Sequence, residues 1–230
     1  MKTLFQRIND RFTHNRVFPT PELLSYVLKC DQFAEKQIEH DEMQQALCGY
    51  LDQSAIRIRA LSESLGRIKE PPLAEVVTES INMLMDSIVR RVGGEDDIKI
   101  FSERNIKLPQ GGYRKPDIGL WRKDVLVLMV ECKTSLGHSR NTWIEEYDTR
   151  TKEFSQIGVP PDNLLLFVGS EHTWKGFPRD DPRYLKSWFA LAPKGAWHGS
   201  GKDGSVTLTQ KSHPEVIKKF ADKVEDLLNK

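Results

Sequence analysis

The sequence has too few cysteines, too widely scattered, for a disulfide framework or a zinc knuckle. Cys30, Cys48 and Cys132 are odd in number, and no two stand at C-x-x-C spacing, which argues against zinc ribbons and redox pairs. Such a set suits a reducing compartment. Long apolar runs are missing too. The longest, Val125 to Val130, falls far short of the roughly 20 residues that span a bilayer. The stretch Met1-Lys2-Thr3-Leu4-Phe5-Gln6-Arg7 turns polar at once and lacks the apolar core of a secretory signal. A soluble, cytoplasmic protein without membrane contact is expected. The 6 histidines show no H-x-x-x-H or H-E-x-x-H spacing, which disfavours a zinc hydrolase. The G-x-x-x-x-G-K-[ST] phosphate loop and the G-x-S-x-G elbow are also absent. There is no charge excess: 34 basic residues face 33 acidic ones, so overall charge neither favours nor excludes nucleic acid.

What is present is ordinary globular composition, 38% hydrophobic and 29% charged over 230 residues. That length allows one α/β domain with a helical appendage. Residues 20 to 70 read as helical. Thr20-Pro21-Glu22 offers a hydroxyl cap, a proline at the first helical position and an acid in the first turn, and a second helix is expected from Glu42 to Ser64. Pro71-Pro72 marks a boundary between a helical region, 1–70, and a second unit, 71–230, which are either two independent folds or two layers of one domain. From Leu73 to Val92 the apolar residues Leu73, Val77, Ile81, Leu84 and Ile88 form a helical stripe ended by Gly93-Gly94.

After the glycines the period changes from 3.6 to 2 or to continuous apolar runs. Strands are expected over Ile98–Leu108, Asp117–Trp121 and Val125–Lys133. A helix follows over Asn141–Ile157, then a buried strand over Leu164–Val168 and another over Tyr184–Leu191. A short strand, Val206–Thr209, and a closing helix, Pro214–Leu228, complete the chain. The fold class is therefore α/β: a mixed central sheet flanked by helices, with an N-terminal helical region.

One constellation carries chemistry. Pro116-Asp117 opens the second strand, and Glu131-Cys132-Lys133 stands near the end of the third. Antiparallel strands joined by a short turn bring the start of one beside the end of the other, so Asp117 should meet Glu131. Alternation puts Glu131 and Lys133 on the same face. Two carboxylates and an ammonium beside a buried sheet are costly unless paired or metal-bound. Magnesium takes one or two carboxylates plus water and phosphate oxygens. Cys132 faces the other way, although its backbone carbonyl could supply a further metal ligand. The bland alternative is that Asp117 caps a turn while Glu131 and Lys133 form an exposed pair.

These residues resemble the PD-(D/E)xK nuclease superfamily, which includes many restriction endonucleases and junction resolvases. Its core of helix, three-stranded meander, crossover helix and fourth strand is similar to the order read from Leu73 to Val168, which makes the unit 71–230 nuclease-like. The resemblance implies a Mg²⁺-dependent endonuclease acting on DNA, with Mn²⁺ able to substitute and a role in restriction or defence. It implies Asp117 and Glu131 as metal ligands and Lys133 as the catalytic lysine. In many members an acid on the first core helix joins the site. Glu79 is preferred over Glu75 here, although both fall opposite Val77, Ile81 and Leu84. A homodimer would provide two sites for two strands.

For nucleic-acid contact the candidates are Trp174, Lys175, Trp197 and His198, where aromatic and basic residues interleave in expected loops, together with Arg150 on the helix bordering the site. Trp188 and Phe189 are expected in the core, and Tyr147 is expected to pack on the sheet with Trp143 and Phe154. The rival readings are a nuclease-fold binding or scaffold protein without activity, and an RNA- or structure-specific nuclease.

Overall fold

The computed structural model describes residues 20–64, 66, 73–136, 140–171, 177–193 and 207–230. Thr20 starts helix α1 (Pro21–Ala34) as expected, its Oγ1 accepting the Leu23 amide at 3.2 Å. α1 buries Leu23, Tyr26, Cys30 and Phe33, one helical face. Helix α2 (His40–Ser64) and helix α3 (Ala74–Arg91) follow, and Gly93, at φ 73°, allows the chain to turn out of α3.

The chain then forms β1 (Ile98–Ser102), β2 (Ile106–Lys107), β3 (Tyr113–Arg114), β4 (Ile118–Arg122) and β5 (Val125–Ser135). Helix α4 (Arg140–Ser155) crosses over to β6 (Leu164–Ser170), and β7 (Trp188–Ala192) and α5 (Val216–Leu228) finish the molecule. The main sheet runs β1-β4-β5-β6-β7: β1, β4 and β5 pair antiparallel, while β5, β6 and β7 pair parallel. This is a mixed sheet flanked by helices. All of β6 is buried, as expected of a central parallel strand covered on both faces.

Three expected strands are corrected. The run Ile98–Leu108 is not one strand. Glu103 takes φ 53°, β1 ends before it, and β2 pairs instead with β3 in a separate two-stranded sheet. The expected strand Tyr184–Leu191 begins only at Trp188, because the amides of Lys186, Ser187 and Trp188 all turn back onto the Arg183 carbonyl. Residues 207–209 form a turn rather than a strand. The Asp52 carboxylate takes the amides of Leu208 and Thr209, at 2.8 and 3.0 Å, that a ladder would have used.

Helices α1, α2, α3 and α5 cover one face of the sheet, and α4 covers the other. The helical region before residue 70 is continuous with the rest, for Leu23, Phe33, Leu47 and Leu51 share one core with Leu84, Phe167, Phe189 and Phe220. Each such fully buried side chain contributes about 1.5–3 kcal/mol. Polar ties reinforce this layer: Tyr26 donates to the Ser80 carbonyl at 2.9 Å, and Gln44 donates to the His213 carbonyl at 2.9 Å. Among the described residues no helix is long and apolar enough to cross a membrane.

Candidate active site

Leu120 pairs with Leu128 but Trp121 pairs with Leu126, so Val127 is an extra residue in β5. Asn163 secures this bulge by donating to the Val127 carbonyl at 2.7 Å. The bulge resets alternation along β5. Beyond it, Leu128, Val130 and Cys132 join the core under α1–α3, while Met129 lies in the core under α4. Glu131 and Lys133, in step with Met129, emerge on the α4 face.

Ile118 is opposite Val130 in the β4–β5 ladder, and the next step places Asp117 opposite Glu131. The Lys133 Nζ lies 3.8 Å from Asp117 Oδ2 and 3.7 Å from Glu131 Oε2. Asp117 is held from behind, its Oδ2 accepting the Cys132 amide at 2.7 Å. The three residues expected to meet do meet. Cys132 itself is 4% exposed and packs away from them. Burial raises its thiol well above the ordinary value, so it is an inert packing group rather than a nucleophile.

Glu131 is 2% exposed. Burial first, and the Asp117 charge second, push its carboxyl above the ordinary glutamate value, against the pull of Arg150 and Lys133. Arg150 forms an ion pair with Glu131 Oε2 through Nη1. A cleft of about 40 Å³, lined by Glu131, Lys133, Trp143, Glu146, Tyr147 and Arg150, lies between β5 and α4. A water needs about 10–15 Å³ by the same measure. The cleft therefore admits a cation and a water or two but not a nucleotide, and a phosphate must approach from the open side, where Lys133 is 43% exposed. A larger hollow of about 510 Å³ lies against α1 and α2, but its carboxylates are committed: Asp52 accepts from Leu208, Thr209 and the Thr209 hydroxyl, and Glu22 pairs with Arg57.

The other expected site residues fall in different places. Glu79 is 9% exposed on α3, and its charge adds to burial in raising the Tyr50 phenol on α2. Arg150 reaches the site through the Glu131 carboxylate. Tyr147 packs as expected: it is buried and donates its hydroxyl to the Leu164 carbonyl. Trp143, Phe154, Trp188 and Phe189 are buried as well. Trp174, Lys175, Trp197 and His198 lie outside the described residues. Glu146 was not among the sequence candidates, yet it lines the cleft one helical turn before Arg150. Its i, i+4 spacing from Arg150 was the available signal.

Among the described residues no group of three or more His, Cys, Asp or Glu converges as a metal cage. The residues present nevertheless fit a hard divalent cation. Asp117 and Glu131 offer oxygen donors side by side, and the buried Glu131 Oε1 has no hydrogen-bond partner. One or two carboxylates, with water and phosphate oxygens completing the shell, is the set magnesium takes. Neither a scan against family models nor a search of curated proteins finds a match to this chain.

Proposed function

We propose that the chain is a Mg²⁺-dependent endonuclease of the PD-(D/E)xK type that hydrolyses phosphodiester bonds in DNA, in the cytoplasm, as a homodimer with two cutting sites. The observation that carries this reading is the single Lys133 ammonium within 4 Å of two facing carboxylates, one of them buried with an unpartnered oxygen. Asp117 and Glu131 would hold the cation, with the Cys132 amide and Arg150 fixing one oxygen of each carboxylate. Magnesium bound there would polarise a phosphoryl oxygen and lower the pKa of a water. Lys133 orients the attacking water and offsets negative charge on the phosphoryl oxygens. The water oxygen bonds to phosphorus, one P–O ester bond breaks, and the departing alkoxide takes up a proton.

A second reading has one observation in its favour. The Arg150 guanidinium already neutralises Glu131, an arrangement that also suits a nuclease-fold binding or scaffold protein without activity. A nuclease assay on plasmid, single-stranded, branched and RNA substrates with Mg²⁺ or Mn²⁺ separates the two. An enzyme cuts one of them, and Lys133→Ala abolishes cutting while folding and binding persist. Wild-type protein that binds DNA and cuts nothing under any metal would establish the scaffold.

A further inference from the structure

The stretch that leads into Asp117 is basic out of proportion to the chain. Residues 98–116 hold five basic side chains (Lys99, Arg104, Lys107, Arg114 and Lys115) against one acid, Glu103, in a chain whose total is +1. Arg104 stacks over Phe101 and Trp121, at 4.8 and 4.2 Å from the ring centroids. Nearby acids are taken by arginines: Asp97 by Arg122, Asp124 by Arg104 and Glu153 by Arg114. Among the described residues no ion pair engages Lys107 or Lys115, and both are exposed.

The β2–β3 hairpin carrying these lysines is anchored. Ile106 and Leu108 are buried, Ile106 within the core under α4. Arg114 clamps the hairpin to that helix with a two-pronged pair to Glu153, at 2.8 and 2.7 Å. Its base is closed by the Glu103 amide on the Pro116 carbonyl at 3.2 Å. Lys107 is the cross-strand partner of Tyr113, and the two side chains rise together from one face. Tyr113 is 65% exposed, which leaves its ring open to a partner. Lys115 follows two residues later, and Asp117 two residues after that.

We infer that the β2–β3 hairpin is a DNA-gripping arm, with Lys107 and Lys115 neutralising backbone phosphates of a duplex and Tyr113 laid against the sugar-phosphate wall. Charge complementarity identifies the occupant: uncommitted ammonium groups and an exposed hydrogen-bonding ring are what a polyanion with sugar faces takes up. The rigid link to Asp117 means that gripping the backbone also positions the scissile phosphate. The inference rests on the nuclease reading, and its test separates the two.

The probe is fluorescently labelled duplex DNA, titrated across salt concentrations and cleaved in parallel with Mg²⁺. Each phosphate neutralised contributes about 0.9 to the slope of log affinity against log salt. Lys107→Ala/Lys115→Ala should lower that slope by roughly two and weaken binding with an unchanged melting temperature. Tyr113→Ala should weaken binding with little change in slope. Lys211→Ala/Lys219→Ala removes the same charge from the face carrying α2 and α5, and should leave the slope in place. Equal slopes for wild type and the hairpin double variant would overturn the arm even if the protein cuts DNA. A reduced slope in a protein that never cuts would keep the arm and sink the nuclease. A wild type that neither binds nor cuts sinks both.

Discussion

Glu131 concentrates the energetic tension of the candidate site in one residue. Its folded-state pKa lies above its unfolded one, because burial and the Asp117 charge disfavour the ionised form. A raised pKa means that stability from this group is present below the unfolded pKa and is lost as pH rises through the folded value. Once ionised, Glu131 therefore works against folding. Glu131→Gln should melt higher than wild type at pH 7 and lose nuclease activity, with the melting gap closing in acid. The Arg150 left behind is 38% exposed, so water can solvate it. Matching melting curves at every pH would count against this account of Glu131. The same reasoning extends to the cation. Wild type should gain about 2.7 kcal/mol at a Mg²⁺ concentration 100 times its Kd. Apparent affinity should rise with pH as Glu131 gives up its proton. Asp117→Asn and Glu131→Gln should show no such metal-dependent shift in calorimetry; a full shift in either variant would remove that residue from the donor set.

At the scale of elements, the site depends on how closely β4 approaches its surroundings. A methyl group on Gly119 would meet Trp121 Nε1 at 3.0 Å and Leu126 Cδ1 at 3.2 Å. Both lie on the face that carries the site, and Gly119 stands two residues beyond Asp117. Gly119→Ala should therefore cost about 1–3 kcal/mol through overpacking and depress cleavage by displacing the head of β4. Urea denaturation checks the first and initial rates the second. A fully stable variant would mean that the Trp121 ring yields freely. Position 119 reads as an unremarkable strand glycine in the sequence, since the bulge at Val127 that brings Leu126 under it leaves no pattern of its own. The meander, the crossover helix and the buried strand β6 were legible because their apolar periods differ sharply. The break at Glu103 was read through, although the polar run Ser102-Glu103-Arg104-Asn105 interrupts the apolar alternation there.

For the molecule as a whole, the question is whether residues 71–230 stand alone. Pro71-Pro72 marks a compositional boundary, but the core runs across it from Leu23 and Phe33 to Phe220. The Asp52 carboxylate holds the turn at Leu208 and Thr209, across more than 150 residues of chain. A fragment lacking residues 1–70 should expose this apolar layer and fail to fold cooperatively, as judged by near-UV circular dichroism and dye binding. A sharp two-state transition in the fragment would make the boundary a domain border. Asp52→Ala offers a milder test. The buried Leu208 amide and the part-buried Thr209 amide lose their acceptor, and a loss of about 1–3 kcal/mol is expected.

The sequence alone determined the order of the helices, the place of the buried strand β6 and the meeting of Asp117, Glu131 and Lys133. These follow from local periods and from the geometry of one short antiparallel turn. Tertiary structure decided the rest: that Arg150 reaches back to Glu131, that Asp52 rather than a strand claims the amides of Leu208 and Thr209, and that the first two helices complete the core. Such pairings join residues far apart in the chain. Their energies depend on burial and distance, which no local pattern of residues encodes.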